Sequence, residues 1–373
     1  MKPASFRVRR SPHLVSYWRD GALTLRNYAT GEGANVSPVL FLLLDFCGDW
    51  RTVGEITEAL PIARRPVVAR AVRRLLAKTL LERSDRPRDP RIVRMQALDP
   101  WNPEAGLFHT ATKNVRFWTT REARRAAAAK AELTPMPPAV KRYAGVLTVP
   151  LPPPARDAEF PSVLLARRTW RRYAAAPVTL EELGTVLGLS AGVQWWAEGQ
   201  GGDLPLKTSP SGGARHPIEC YVIARHVSGL RPGIYHYSSA RHELERLRGP
   251  VSDARVRAYV PQSGSFTKAA VMVFFTAMFE RQTWRYPYSR AYRAALIEAG
   301  HVCQTFLLTA TWLGLAPFSL MGLADSLIEH DLGIDGVSES VLYAGGFGRR
   351  PRGASWARLP RGSLKARPNP RFR

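Results

Sequence analysis

Cysteine is scarce: 373 residues contain only Cys47, Cys220 and Cys303. They are far apart, no Cys-x-x-Cys pair occurs, and each sits in an apolar run. That excludes a disulfide scaffold and a four-cysteine zinc site, and points to buried free thiols in a reducing cytoplasm. Negative charge is scarce too, with 30 Asp and Glu against 54 Lys and Arg. The longest apolar stretches, 269–279 and 303–320, are too short or too broken to span a bilayer. Residues 1–20 are basic and lack the apolar segment of a signal peptide. A cytoplasmic protein is therefore expected. No His-Glu-x-x-His motif and no His/carboxylate cluster appears, so no metal is expected. Neither a Walker A loop nor a Gly-x-Gly-x-x-Gly turn is present, which argues against a nucleoside triphosphate or Rossmann site.

What is abundant is arginine. The net charge of +24 comes largely from runs at 7–10, 64–65, 121–125, 167–172 and 349–352. Such a balance favours anionic partners: phosphates, acidic peptides or nucleic acid. A solvated basic surface accounts for the bulk charge equally well. With 45% hydrophobic and 10% aromatic residues, the chain has enough apolar surface for real cores. Its length suggests two domains.

The pattern along the chain divides it into four. Residues 1–90 read as a winged-helix-like domain: a dense apolar helix at 36–47, a second opened by a Thr52/Glu55 capping box, and a long basic helix at 65–81. A peptide clamp and a docking module both fit it. Residues 91–155 read as a Pro/Arg-rich linker, with proline clusters at 135–138 and 150–154. Residues 156–350 mix helices and strands. Helices are expected at 160–168, at 178–189 behind a Thr179/Glu182 box, and at 292–313. Strands are expected at 218–224, 270–277 and 341–344, with a hairpin at 233–247. This order is α+β, not a regular βαβ repeat. Residues 351–373 read as a basic extended tail.

Four stretches carry chemistry. Arg167-Arg168-Thr169-Trp170-Arg171 gathers guanidinium groups suited to phosphate or electron-rich carbonyls. Ser209-Pro210-Ser211-Gly212-Gly213 leads into Ala214-Arg215-His216-Pro217 and then a strand; its glycines permit close backbone approach to a flat or charged ligand. Ser319-Leu320-Met321-Gly322 follows the long helix. Gly345-Gly346-Phe347-Gly348-Arg349-Arg350 is a Gly-rich strand end with paired cations. His216 and His301 read as structural, with a proton relay as the alternative for His216.

Together these stretches resemble the nitroreductase superfamily, and within it the SagB-type dehydrogenase branch. Ser209–Pro217, the run from Gly229 to Tyr237, Tyr292-Arg293, Glu298-Ala299-Gly300-His301, Gln304 and the run from Leu332 to Glu339 carry the resemblance over about 160–350. It implies a nitroreductase-like mixed sheet flanked by helices and an FMN site at a homodimer interface. By motif position it assigns FMN contacts to Arg167, Arg168, Thr169, Arg171, Ser209, Pro210, Ser211, Gly212, Gly213, Gln304, Met321, Gly322, Gly348 and Arg349. It further implies oxidation of thiazoline or oxazoline rings in a ribosomal peptide. The partners would be a precursor peptide, its leader held by the N-terminal domain, and a cyclodehydratase.

One departure matters. Azoline oxidases of this branch carry a Lys-Tyr pair before the long helix; here the stretch is Trp284-Arg285-Tyr286-Pro287-Tyr288 and contains no lysine. Arginine is no general base near neutrality, so Tyr286 is the candidate base and Arg285 its electrostatic partner, with a dimer-lining role as the alternative. An NAD(P)H-using flavin reductase of the same fold, acting on a small molecule, is the second functional reading. A nucleic-acid-binding regulator is the third.

Overall fold

The computed structural model describes residues 6–60, 64–114, 119–133, 158–198, 203–262, 264–286 and 288–353. The chain forms two compact units. One comprises Met1–Val115, Met278–Ala294 and Asp335–Ser340; the other comprises Arg116–Ala277, Ala295–Ile334 and Val341–Arg373.

The first unit opens with an antiparallel meander of Leu14–Arg19, Ala22–Asn27 and Gly33–Asn35. Its first turn is Asp20-Gly21, with φ of 50° and 75°; two consecutive left-handed residues match the strand twist of a two-residue hairpin. Helices Pro38–Phe46, Val53–Ala59 and Arg65–Ala77 follow. The Thr52/Glu55 capping box is present. Val68, Val72 and Leu75 form the buried stripe of the third helix, and Arg70, Arg73 and Arg74 are exposed. This helix stops short of its expected end at 81. Thr79 turns left-handed at φ 53°, and Leu81–Arg83 instead pairs with Val8–Arg10. The hairpin thus stands before the three helices rather than after them. Val8, Leu25, Leu43, Leu44, Ile56, Val72 and Leu80 pack into one core.

The stretch expected as linker contains helices Pro90–Met95, Pro103–Thr112 and Thr120–Leu133. Trp101 donates its indole N–H to the Tyr286 carbonyl at 3.1 Å and packs edge-on against Phe279 and Tyr292. His109 sits buried between the Tyr292 hydroxyl and the Gly336 carbonyl, both at 2.8 Å. Burial pushes its imidazole down to about 4, so it is neutral at pH 7. The proline clusters at 135–138 and 150–154 and most of the basic tail lie outside the described residues.

The second unit is built on a six-stranded sheet in the order Glu243–Arg248, Gly233–Ser238, Ile218–Ala224, Val271–Met278, Glu339–Gly348, Ala316–Leu320. Ile218–Ala224 and Val271–Met278 are continuous apolar runs buried almost throughout, as strands covered on both faces must be. Tyr221, Ile223, Phe274 and Phe318 face a core completed by Tyr259 and Ile328, from helices Asp253–Tyr259 and Asp325–Leu332. Those two helices are braced to each other. The Asp331 carboxylate takes a bidentate pair from Arg255 at 2.6 and 2.7 Å and a further bond from the Tyr259 hydroxyl. The Arg255 bonds hold Asp331 far below the usual carboxylate range. On the opposite face, Phe306 of the long helix Arg290–Trp312 meets Phe275 and Phe347. Helix Leu180–Ala191 begins at the expected Thr179/Glu182 capping box. The mixture is α+β, as the sequence pattern required.

Candidate functional site

The Ser209–Pro217 segment is a strained turn held by named bonds. Gly213, Ala214 and His216 all lie at positive φ, 58°, 51° and 42°. For Ala214 and His216 that conformation has a steric cost, so the surroundings must enforce it. Two residues of the long helix pin it. Glu298 accepts the Gly212 N–H at 3.1 Å, and the Thr305 hydroxyl meets the Ser209 hydroxyl at 3.2 Å. Inside the turn, the Ser211 hydroxyl accepts the His216 N–H at 2.8 Å. Ser209 is buried, and Gly212 and Gly213 are exposed. A backbone shaped in this way, with glycines outward, suits contact with a flat ring system.

The arginine stretch begins where helix Glu159–Ala166 ends. Trp170 donates its backbone N–H to the Pro317 carbonyl at 2.9 Å, which lays the segment along the edge strand. Arg168 folds back on the Leu165 and Arg167 carbonyls at 2.8 and 2.7 Å. Arg171 reaches over the Phe266 ring, which is itself stacked on Phe318 at 4.3 Å.

The paired arginines at the end of the last strand do different work. Arg349 meets both oxygens of Glu182 at 2.8 and 2.7 Å and the Pro177 carbonyl at 2.9 Å. Burial pushes Glu182 up, and the Arg349 bonds outweigh it, so the carboxyl sits below its ordinary value. Arg349, assigned to phosphate by motif position, has its guanidinium occupied by this ion pair. Arg350 lies over the Trp170 ring at 5.1 Å and donates to the Leu315 carbonyl. Among the described residues no carboxylate pairs with it, and burial pushes it down from its ordinary value. Its Nε and the neighbouring Trp170 Nε1 are both buried donors without an acceptor among the described residues. Buried donors in native proteins are normally satisfied, so this corner has the chemistry of an anion seat. Neither Trp170 nor Arg350 was among the candidate residues. The signal was there only in part, as an aromatic inside a cationic run.

The remaining candidates are placed as follows. Met321 is exposed and Gly322 stands in open space, with only Gln262 near a built Cβ. Gln304 is exposed on the long helix. Gly348 admits the Tyr173 ring: a Cβ there would lie 2.7 Å from its Cδ1. Arg285 and Tyr286 belong to the first unit, at the end of helix Phe279–Arg285. Arg285 is exposed, and Tyr286 is half-buried with its ring 5.8 Å from that of Tyr288. Cys47, Cys220 and Cys303 are buried free thiols, and burial pushes them up to about 11, 12 and 12. None is a nucleophile at neutral pH. No helix is long and apolar enough to cross a membrane among the described residues.

Residues 164–349 match the Nitroreductase family. MJ1384 of Methanocaldococcus jannaschii, a protein named for that family, is 32% identical over 182 residues, 49% of this chain and 88% of its own. The trifolitoxin-processing protein TfxB of Rhizobium leguminosarum bv. trifolii is 32% identical over 149 residues, 38% of this chain and 39% of its own length. Among solved structures, a chain of the E. coli microcin synthetase McbBCD complex with truncated pro-MccB17 bound superposes with a TM-score of 0.50 at 19% identity. That match covers 72% of this chain and all of the other, and it is a likeness of fold.

Proposed function

Since the chain belongs to the nitroreductase family of oxidoreductases, we propose that it is an FMN-dependent dehydrogenase that modifies a ribosomal peptide. The similarity to the trifolitoxin-processing protein TfxB supports the peptide half of this reading. It also supports the SagB-type branch. The proposed reaction is oxidation of a thiazoline or oxazoline ring to the aromatic azole.

The donor set fits the cofactor. Arg350, Trp170, Arg167 and Arg171 would hold the phosphate, using the two buried donors that have no acceptor among the described residues. The Ser209–Gly213 turn would lie against the ring system, its shape fixed by Glu298 and Thr305. FMN, when bound, supplies the hydride acceptor. The protein's own task is then to bind and orient the peptide ring, exclude water and take the ring proton. Tyr286, with Arg285 beside it, is the proposed base. A homodimer, a cyclodehydratase and a leader peptide held by the N-terminal unit complete the proposal.

Anaerobic mixing of the flavin-loaded protein with a synthetic thiazoline peptide tests the reading. The flavin absorbance should bleach, and the matching thiazole peptide should leave it unchanged. Failure of the thiazoline peptide to bleach a yellow protein overturns azoline oxidation. Tyr286→Phe should slow the bleaching roughly a hundredfold, within the range for losing a general base, with flavin content unaltered. The similarity to MJ1384 favours a second reading, a reductase of small molecules, which rapid bleaching by NADPH alone would support.

A further inference from the structure

Tyr286, the proposed base, is held in place by a segment 185 residues upstream, in the stretch whose sequence reads as linker. Trp101 and Asn102 are consecutive, and both donate to the same loop. The Trp101 indole N–H meets the Tyr286 carbonyl at 3.1 Å, and the Asn102 backbone N–H meets the Ser289 hydroxyl at 2.8 Å. Two neighbouring residues thus grip both ends of the 286–289 stretch. Tyr286 is tied from its other side as well, its backbone N–H donating to the Gln282 carbonyl at 2.8 Å where helix Phe279–Arg285 ends. Its main chain is therefore fixed through both polar groups. Its hydroxyl makes no hydrogen bond among the described residues, so the phenol is left to act.

The grip is itself rigid. Trp101 is 3% exposed, and its ring stands edge-on to Phe279 at 5.7 Å and to Tyr292 at 5.6 Å. Those two rings stack on each other at 5.1 Å. Phe279 opens the helix that ends at Tyr286, and Tyr292 lies in the first turn of the long helix that follows. The indole is wedged between the two elements that flank the loop, so its N–H is already aimed when it meets the carbonyl. Helix Pro103–Thr112 starts directly after Asn102 and is anchored further along. His109 binds the Tyr292 hydroxyl through Nδ1 and the Gly336 carbonyl through Nε2, and Lys113 donates to that carbonyl at 2.6 Å. A carbonyl only accepts, so the neutral imidazole carries its proton on Nε2. All of these residues belong to the first unit.

A core role for Trp101 needs only its ring. The N–H goes further. Carbonyls in the last turn of a helix are ordinarily served by water or by the next turn of chain, and here a buried side chain takes one of them, on the residue proposed as base.

We propose that Trp101 and Ser289 are positioning residues for Tyr286, fixing its main chain so that the phenol meets the ring proton of the substrate. This inference rests on Tyr286 being the base and adds what aims it. A base must stand within hydrogen-bond reach of the proton it takes, and a displacement of about 1 Å can cost about a hundredfold in rate.

A double-variant cycle on the full-length, flavin-loaded protein tests it, read by flavin bleaching with the synthetic thiazoline peptide. Trp101→Phe keeps an aromatic ring and removes the N–H. It should slow bleaching at saturating peptide about thirtyfold, with the half-saturating peptide concentration and the flavin content unchanged. Ser289→Ala removes the second grip and should slow bleaching about threefold, the scale of one neutral hydrogen bond. In the Tyr286→Phe background neither substitution should slow it further, because residues that act through one group are not additive. A wild-type rate for Trp101→Phe overturns the inference. So does equal slowing in both backgrounds, which makes Trp101 a structural residue. If Trp101→Phe does not fold, Ser289→Ala decides in the same two backgrounds by the same criteria. Tyr286→Phe bleaching at the wild-type rate overturns the base assignment and this inference together, while azoline oxidation still stands on the bleaching itself.

Discussion

Two polar clusters in the second unit make an instructive pair. At Asp331, every charge has an answer: Arg255 binds both carboxylate oxygens and Tyr259 adds a third bond. At Trp170 and Arg350, two buried N–H donors have none among the described residues. The first cluster fastens one helix to another and needs nothing more. The second has the same kind of groups in the same kind of surroundings, but its accounts with the rest of the chain are left open. Buried polar groups that are fully paired stabilise a fold, and those left unpaired destabilise it until a ligand arrives. The contrast separates a brace from a seat more sharply than residue type does.

Substitutions should push the two apart. Arg350→Ala should weaken FMN binding by about a hundredfold, the scale of a lost charge-assisted phosphate contact, and leave the unfolding midpoint unchanged or raised. Titration of the apoprotein with FMN and a denaturant curve read both. Asp331→Asn should do the reverse, lowering stability by about 2 kcal/mol through an unanswered Arg255 and a weakened Tyr259 bond, with FMN affinity intact. Arg349→Gln should cost about 1 kcal/mol of stability through Glu182 and hardly move FMN affinity; a large loss of flavin would return the phosphate to Arg349. The pH dependence should differ as well. The Asp331 carboxyl is held low, so its contribution is complete above about pH 4, its unfolded range, and is lost progressively as pH falls from there through the depressed value.

The smallest effect belongs to His236, whose two ring nitrogens face Glu219 at 3.0 Å and Glu245 at 2.7 Å. The Glu219 bond raises its affinity for a proton. That contribution is complete below about pH 6.5 and declines as pH rises through the raised value. Chemical denaturation between pH 6 and 9 should show a slope that His236→Gln removes.

Much of the second unit was legible because its signals are local or strongly periodic. The Thr179/Glu182 box announces its helix, and the apolar runs at 218–224 and 270–277 read as buried strands. The meander of the first unit is legible in Asp20-Gly21, which between two strand-forming runs is a strong hairpin signal. The paired short strands Trp195–Ala197 and Leu204–Leu206 were harder, since three residues carry no period. The roles of Arg349 and Arg350 were out of reach of the sequence. Neighbours on an extended chain face opposite ways, so one meets Glu182 and the other Trp170, and only the register of the strand end decides which. The proposed anion seat would owe its place to that parity.

Glu298 and Thr305 stand seven residues apart on one helix, about 10 Å along its axis, and they grip the two ends of the Ser209–Gly212 segment. The helix is thus a jig against which the turn is clamped at fixed span. Sliding or rotating that rod by even a fraction of a turn would release one clamp before the other. Ile297, next to Glu298 on the same rod, is open to solvent.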